Sequence, residues 1–543
     1  MATAGAAHPS RDGFSEELKQ GAWKLLAAGD TRCISQVETP GMQALLRRVR
    51  DAAEGSPRPA LTSLEDLAQL LALWRPRAYG KDREQAYLTA RFGSQRPALL
   101  HPSLAPILLP THNELLYADQ VVQVLRLFGF THAWADRYRR ALATGRRAER
   151  YAMGHELKDA ARLRRWSDEQ INAILALLQE HAGYLYAHGH ALALAQHVFH
   201  QACLKLDPAT APTFFAEVLN NGGSAHYGLG AAVEEARQWG VLLLPPCTNR
   251  STDRYAVVDP DAFELLTAGS ATSISGAIRV PLTAIRGLGT QTVRHILQMR
   301  AVFGPFTSLL DFLRRMEPQQ INRRELQVLI RLGAFSFTGR SRAQLALVEH
   351  IYASAGELLR ATDRDPADLA HLEDELPELL GGHTTAVEWP PERVAADELA
   401  HLGFYVVPND VQQHALRIAE EFSTLDIAAL AGQPHNTVLS IAGVITALRI
   451  RPTKKGEQMA WLTLTDGTGA IECAIFPNAF ARLGQPTMVL REGAFLVATG
   501  KLAHEETTGS KLWIDRVTTV GGVGARQEAL RAALEYRQAD PAA

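Results

Sequence analysis

Cysteine is scarce in this sequence of 543 residues: four in all, Cys33, Cys203, Cys247 and Cys473, far apart and never as Cys-x-x-Cys. That spacing excludes a disulfide framework and a zinc ribbon. Net charge is almost absent as well, at −2, which neither favours nor opposes a polyanionic partner, because a basic face can coexist with a neutral total. No stretch approaches the roughly 18 apolar residues of a membrane span. The opening MATAGAAHPSRDG lacks the apolar core of a signal peptide. The expectation is a cytoplasmic protein, associated with the nucleoid, with no membrane partner. Strand-like alternation is nearly missing before residue 240. What is present, 46% hydrophobic and 21% charged residues, is the composition of globular protein, and the length suits about three or four domains.

One stretch organises the rest: VPLTAIRGLGTQTVRHILQMR, Val280 to Arg300. Its centre, Ile285-Arg286-Gly287-Leu288-Gly289, joins two apolar segments through glycines that allow backbone angles forbidden to side chains. Val293, Ile296, Leu297 and Arg300 then recur at helical spacing. Free N–H groups and a positive dipole end at such a helix start can seat a phosphate, with Arg286, Thr290 and Arg294 beside them. This is a helix-hairpin-helix pattern, and the expected DNA-binding hairpin is Arg286, Gly287, Leu288, Gly289, Thr290 and Arg294. Ile321 to Phe335, INRRELQVLIRLGAF, reads as a second unit with Leu326, Leu329, Ile330 and Leu332 in its core and Arg323, Arg324 and Arg331 toward DNA.

Upstream the chain is helical. Helices are predicted over 16–28, 61–75, 118–128, 132–143, 167–181, 190–203 and 211–220, together with a basic helix after Pro40-Gly41-Met42 carrying Leu45, Leu46, Arg47, Arg48 and Arg50, and with a basic edge at Arg137, Arg139, Arg140, Arg146 and Arg147. Residues 353–397 are acidic and Pro-rich and read as a linker with short helices. Beyond them TVLSIAGVITALRIR, MAWLTLTDGTGAIECAIF, LREGAFLVATGKL and KLWIDRVTTV alternate as about five strands, the pattern of an OB barrel. Arg449, Arg451, Lys454 and Lys455 at the tip of its first hairpin offer charge to a single strand. Trp461 and Phe476 offer stacking faces, with a place in the barrel core as the alternative for both.

The order of GDTRCISQVETPGM, SLEDLAQLLALWRP, HPSLAPIL, RYRRALATGRR, HAGYLYAHGHALALAQ and LLLPPCTNRS resembles the bacterial DNA polymerase III alpha-subunit family, closest to its error-prone branch. The resemblance runs from about Ala22 to Val520. It implies a multidomain chain: 1–50 the end of a palm, 51–275 a mostly α fingers-like domain, 276–345 a helical tandem helix-hairpin-helix domain, 346–435 an acidic linker, 436–522 a β-barrel OB-fold and 523–543 a tail.

The resemblance also sets the expected chemistry. The family clamps two metal ions between three palm aspartates, since two divalent cations must be held over the transferring phosphate. Here the Asp-x-Asp matches are Asp259-Pro260-Asp261 and Asp363-Arg364-Asp365, both read as loops without an apolar flanking strand. No catalytic residue is therefore assigned, and no cofactor is expected on this chain alone; Mg²⁺ would enter only with a catalytic partner. Where the family has Gly-Tyr-Gly-Phe-Asn-Lys-Ser-His, this chain has Gly183-Tyr184-Leu185-Tyr186-Ala187-His188-Gly189-His190, so asparagine, lysine and serine are lost. Arg139, Arg140 and His190 remain as the nucleotide or phosphate contacts that the family implies. The sliding-clamp peptide is reduced to Glu375-Leu376-Pro377-Glu378-Leu379-Leu380, without glutamine or aromatic, so tight clamp binding is not expected.

The expected function is that of a truncated alpha-subunit-like protein without polymerase activity alone, in replication, repair or damage-tolerant translesion synthesis. Its expected partner is DNA, duplex through the hairpins and single-stranded through the barrel, within a repair polymerase complex. A first alternative is one half of a split polymerase whose aspartates lie on a separate palm chain. A second, from a different class, is a metal-dependent hydrolase using the His-rich helix of His181, His188, His190, His197, His200 and Cys203. That spacing matches no standard ligand pattern, and no metal ligand is assigned.

Overall fold

The computed structural model describes residues 13–519 apart from 75–80, 94–97, 145–146, 182–184, 226, 259–273, 317–319, 351–387, 407–426, 428–429, 431–432, 454–455, 466–469, 484–489, 491–493 and 506–508. Both Asp-x-Asp matches, the 375–380 segment, Lys454, Lys455 and the tail lie outside the described residues. The chain forms two compact units, 1–206 and 207–543.

The first unit is built from ten α-helices among the described residues: α1 (Glu16–Ala28), α2 (Pro40–Ala53), α3 (Leu64–Leu73), α4 (Lys81–Phe92), α5 (Ala105–Leu108), α6 (Ala118–Leu127), α7 (His132–Thr144), α8 (Arg147–Leu163), α9 (Asp168–His181) and α10 (His188–Leu206). Helix α3 is buried from Leu67 to Leu73 and packs on α10, which also meets α1. Ser63 opens α3 in a capping box with Asp66, whose carboxylate also holds Arg91 of α4 at 2.7 Å. One carboxylate thus satisfies helix-start N–H groups and neutralises a guanidinium that is only 4% exposed. A second core under α5 to α9 gathers Leu104, Val121, Leu125, Tyr138, Leu157 and Trp166.

Besides the single turn α5, two helices of this unit, α4 and α8, go beyond those expected from the sequence. In α8 the buried residues Met153, Leu157 and Ala161 recur every four positions, but glycine and charge fill the rest, so the apolar signal is thin. In α4 only Tyr87, Leu88 and Ala90 are buried apolar groups, and buried Arg91 supplies the remaining anchor.

The second unit begins with α11 (Ala211–Asn220) and α12 (Gly228–Gln238), which pack on a small sheet. Its strands are β1 (Val241–Leu244), β2 (Ala256–Val258) and β3 (Gly276–Arg279), in the order β1-β3-β2, with β1 parallel and β2 antiparallel to β3. This departs from the expected boundary at 275: the unit border falls at 206/207, and the sheet belongs with residues 207–543. The apolar strand β2, which ends at Val258, also corrects the expectation that no apolar strand precedes the first Asp-x-Asp match, which itself lies outside the described residues.

Then come α13 (Thr290–Phe303), α14 (Leu309–Arg315), α15 (Arg323–Arg331), α16 (Arg342–His350) and α17 (Pro391–Leu402). Phe306, Phe312 and Phe335 meet edge to face at 4.9 and 5.0 Å, and Leu326, Leu329, Ile330 and Leu332 are buried as expected. Helix α17 lies inside the segment read as linker yet packs on α15, with Asp397 reaching Arg331 at 3.4 Å. Its acidic composition masked a buried face of Ala395, Leu399 and Leu402.

The last part is a closed barrel of β4 (Val438–Pro452), β5 (Gln458–Thr465), β6 (Ala470–Ile475), β7 (Phe495–Glu505) and β8 (Gly509–Thr519), in the order β4-β5-β6-β8-β7, with a short helix α18 (Pro477–Ala481) after β6. Ile441, Leu462, Leu464, Cys473, Leu496 and Ile514 fill it. The fold class therefore stands: a mostly α N-terminal part, a helical helix-hairpin-helix part and a C-terminal OB barrel.

Gly500 on β7 sits beside the bulge that Asp515 makes in β8, where a Cβ would stand 2.0 Å from the Trp513 carbonyl oxygen. A backbone oxygen inside an inter-strand ladder cannot retreat cheaply. Gly500→Ala should destabilise the barrel by at least about 2 kcal/mol, read as a lowered midpoint in thermal unfolding followed by tryptophan fluorescence. An unchanged midpoint would show that the ladder yields at this bulge.

Candidate nucleic-acid interface

Barrel closure builds a continuous outer row from residues distant in sequence. Arg449 on β4 stands opposite Trp461 on β5, Trp461 opposite Ala474 on β6, Ala474 opposite Trp513 on β8, and Trp513 opposite Lys501 on β7. Directly paired residues share a face, and the alternate positions Leu462, Cys473, Leu512 and Leu502 are buried in the core. A second row sets Thr463 opposite Glu472 and Glu472 opposite Lys511.

The side chains connect these rows. Lys511 Nζ lies 5.4 Å from the centre of the Trp461 ring and 3.6 Å from Glu472. Phe476 meets Trp513 edge to face at 6.0 Å and is 42% exposed. Arg449 and Arg451 are exposed. Trp461 and Phe476 accordingly stand on the outer surface rather than in the core. Two indoles, a phenyl ring and four cations along this outer row and beside it suit stacked bases and a backbone of phosphates. Lys501, Lys511 and Trp513 were not expected from the sequence. Their alternation with Leu512 and Ile514 announces an outward pair, but not that β8 lies beside β6.

The hairpin is built differently from expectation. Gly287 has φ +95°, a left-handed angle that favours glycine, whereas Gly289 has φ −70°, open to any residue. Gly289 is small for another reason: a Cβ there would stand 3.0 Å from Glu325 Oε1, to which its N–H donates at 2.8 Å. The amide expected to hold a phosphate already holds a carboxylate. Arg286 is strapped to the end of α17, its N–H donating to the His401 carbonyl at 2.8 Å and its guanidinium lying against Gly403. Thr290 and Arg294 are exposed, and Arg294 donates to Gln291 at 2.8 Å.

In the first unit Arg139 and Arg140 both pair with Asp136, at 2.8 and 2.6 Å. Hydrogen bonds from these guanidinia, that of Arg139 foremost, hold the Asp136 carboxyl below its ordinary range. One of the two positive charges is thus neutralised. Helix α7, which carries them, packs on α6 and α8, while α10 packs on α1 and α3. At the start of α10, His190 is exposed and stacks on Tyr186 at 5.4 Å. His188, where the family has lysine, is bonded to Glu65 at 2.8 Å.

The histidines of α10 do not converge on a metal. His197 faces Gln201 at 2.6 Å, His200 meets Phe14 at 5.9 Å, and burial pushes the Cys203 thiol up to about 11, away from the thiolate a metal requires. Among the described residues no three His, Cys, Asp or Glu side chains gather as a ligand set. No helix among them is long and apolar enough to cross a membrane.

Fold and face together define a multidomain nucleic-acid-binding protein. Residues 17–163 match the bacterial DNA polymerase III alpha subunit finger domain, 240–345 the helix-hairpin-helix motif and 439–518 the OB-fold nucleic acid binding domain. The DNA polymerase III alpha subunit of Pseudomonas fluorescens is 28% identical across 92% of this chain and 42% of its own length. That of Caulobacter vibrioides is 27% identical across 85% and 38%, and that of Escherichia coli K12 26% across 89% and 40%. The chain is similar to DNA polymerase III alpha subunits along most of its length and spans about two-fifths of the length of these relatives. The finger match begins at residue 17, inside the segment assigned to the end of a palm.

If the outer row binds single strands, Trp461→Ala and Trp513→Ala should each weaken binding of an oligo-dT by roughly 1–3 kcal/mol, measured by fluorescence anisotropy. Arg449→Ala with Arg451→Ala should flatten the dependence of log K on log salt by about 0.7 per lost phosphate contact. Unchanged affinity and slope in folded variants would remove this face from the interface.

Proposed function

We propose that this chain is a DNA-binding member of the alpha-subunit family that holds single-stranded DNA on its OB barrel, serves replication or repair with damage-tolerant synthesis, and does not extend a primer unaided. The observation that carries the reading is the row Arg449, Trp461, Trp513 and Lys501, in which cations flank aromatic faces. Fixed rings across neighbouring strands can stack successive bases without choosing among them, and the flanking charges follow the backbone.

Two features support the lack of unaided synthesis. The first Asp-x-Asp match is interrupted by Pro260, which cannot donate to a sheet ladder. In the first unit the position of the family's lysine is occupied by His188, already bound to Glu65, and Arg139 and Arg140 share Asp136. A triphosphate would meet weakened charge on both counts. A palm on another chain would supply aspartates and Mg²⁺ to this one, as in a split enzyme.

The purified chain, given primed template, dNTPs and Mg²⁺ or Mn²⁺, should extend no primer in a gel assay while still binding single-stranded DNA. Extension abolished by Asp259→Asn with Asp261→Asn would overturn the proposal. Extension that appears only after a palm-bearing chain is added would agree with it and identify the partner.

A further inference from the structure

Four donors close on one carboxylate in the second unit. Glu325 Oε1 accepts from the Gly289 N–H and the Thr292 hydroxyl, each at 2.8 Å. Oε2 accepts from the Asn322 N–H at 3.0 Å and the Asn322 side-chain amide at 2.9 Å. Glu325 is 8% exposed, and a carboxylate offers about four acceptor positions. All four are used. Gly289 is the N-cap of α13 and Asn322 the N-cap of α15, so two positive helix ends share one internal negative charge.

We infer that Glu325 is the specificity-determining residue of this hairpin: its carboxylate stands where a DNA phosphate would sit, so the turn discriminates against duplex backbone. A phosphate arriving at Gly289 must displace a buried group held by four hydrogen bonds or share a helix end with a like charge. Either route disfavours the contact. The surrounding surface is otherwise suited to an anion, since Gly287, Thr290, Arg294 and Arg324 are exposed around the turn. Charge, not shape, is what closes it. Nucleic-acid contact then falls to the barrel, and the chain prefers single strands to duplex. The inference rests on the reading of the chain as a DNA binder.

The test compares the full chain and Glu325→Gln on a 20-base-pair duplex and on an oligo-dT, by anisotropy across a salt series. Glutamine keeps an oxygen for Gly289 while removing the charge. Duplex affinity should rise roughly three- to tenfold at low salt, and the log–log salt slope should steepen by about 0.9, the signature of one added phosphate contact. Oligo-dT binding should stay unchanged. Unchanged or weaker duplex binding in a folded variant overturns the inference. Absent oligo-dT binding by the parent chain instead overturns the proposed function and leaves the duplex comparison readable. Should Glu325→Gln unfold, the parent chain labelled with ¹⁵N-glycine decides: the Gly289 amide resonance should stay still as duplex is added, and its movement would overturn the inference.

Discussion

Closure of the barrel through the parallel pairing of β6 with β8 is the constraint on which the proposed interface depends. A parallel pair cannot be joined by a tight turn, so the chain must leave β6, form α18 and β7, and return. That return places Trp513 and Lys511 beside strands nearly 40 residues earlier in the sequence. It also removes the free sheet edges that would otherwise invite pairing with other chains. The row of rings and cations is thus a by-product of closing the hydrophobic core around Leu462, Cys473 and Ile514. Where β5 and β6 form only a hairpin, Trp461 has neither the Lys511 ammonium over its ring nor a second indole two strands away.

Charge in the helical parts is largely spent internally. Asp66 holds Arg91, Asp136 holds Arg139 and Arg140, and Asp311 holds Arg314 and Arg315. Asp66 and Asp311 each sit three residues after a serine N-cap and also accept from backbone N–H groups, so one carboxylate serves a helix end and a guanidinium together. Glu325 is placed in the same way, with a neighbouring hairpin instead of an arginine. A count of arginines therefore overstates how many are available to phosphates. In the barrel, by contrast, Arg449 and Arg451 project from an exposed strand end.

Much of the architecture was legible from residue order. Apolar residues at helical spacing marked most helices of the first unit, and alternation marked the barrel strands, because both signals come from local geometry that one face of the core reads directly. Helices α4, α8 and α17 were harder. Their buried faces are narrow or closed by charged residues such as Arg91, whose burial depends on a partner elsewhere in the chain. The small sheet of β1 to β3 was missed because strands of three or four residues carry too little periodicity to register.

The sequence by itself determined the class of each part, the Gly-Leu-Gly turn and the kinship, since these rest on short-range patterning and on the order of motifs along the chain. Only the tertiary structure decided which polar groups meet. Nothing between Gly289 and Glu325 announces that an amide and a carboxylate separated by 36 residues will share a hydrogen bond. Nothing in KLWIDR indicates that its tryptophan joins a row begun by Arg449. Hydrogen bonds and stacked rings depend on positions within a few tenths of an ångström, and such positions are set by how whole elements pack.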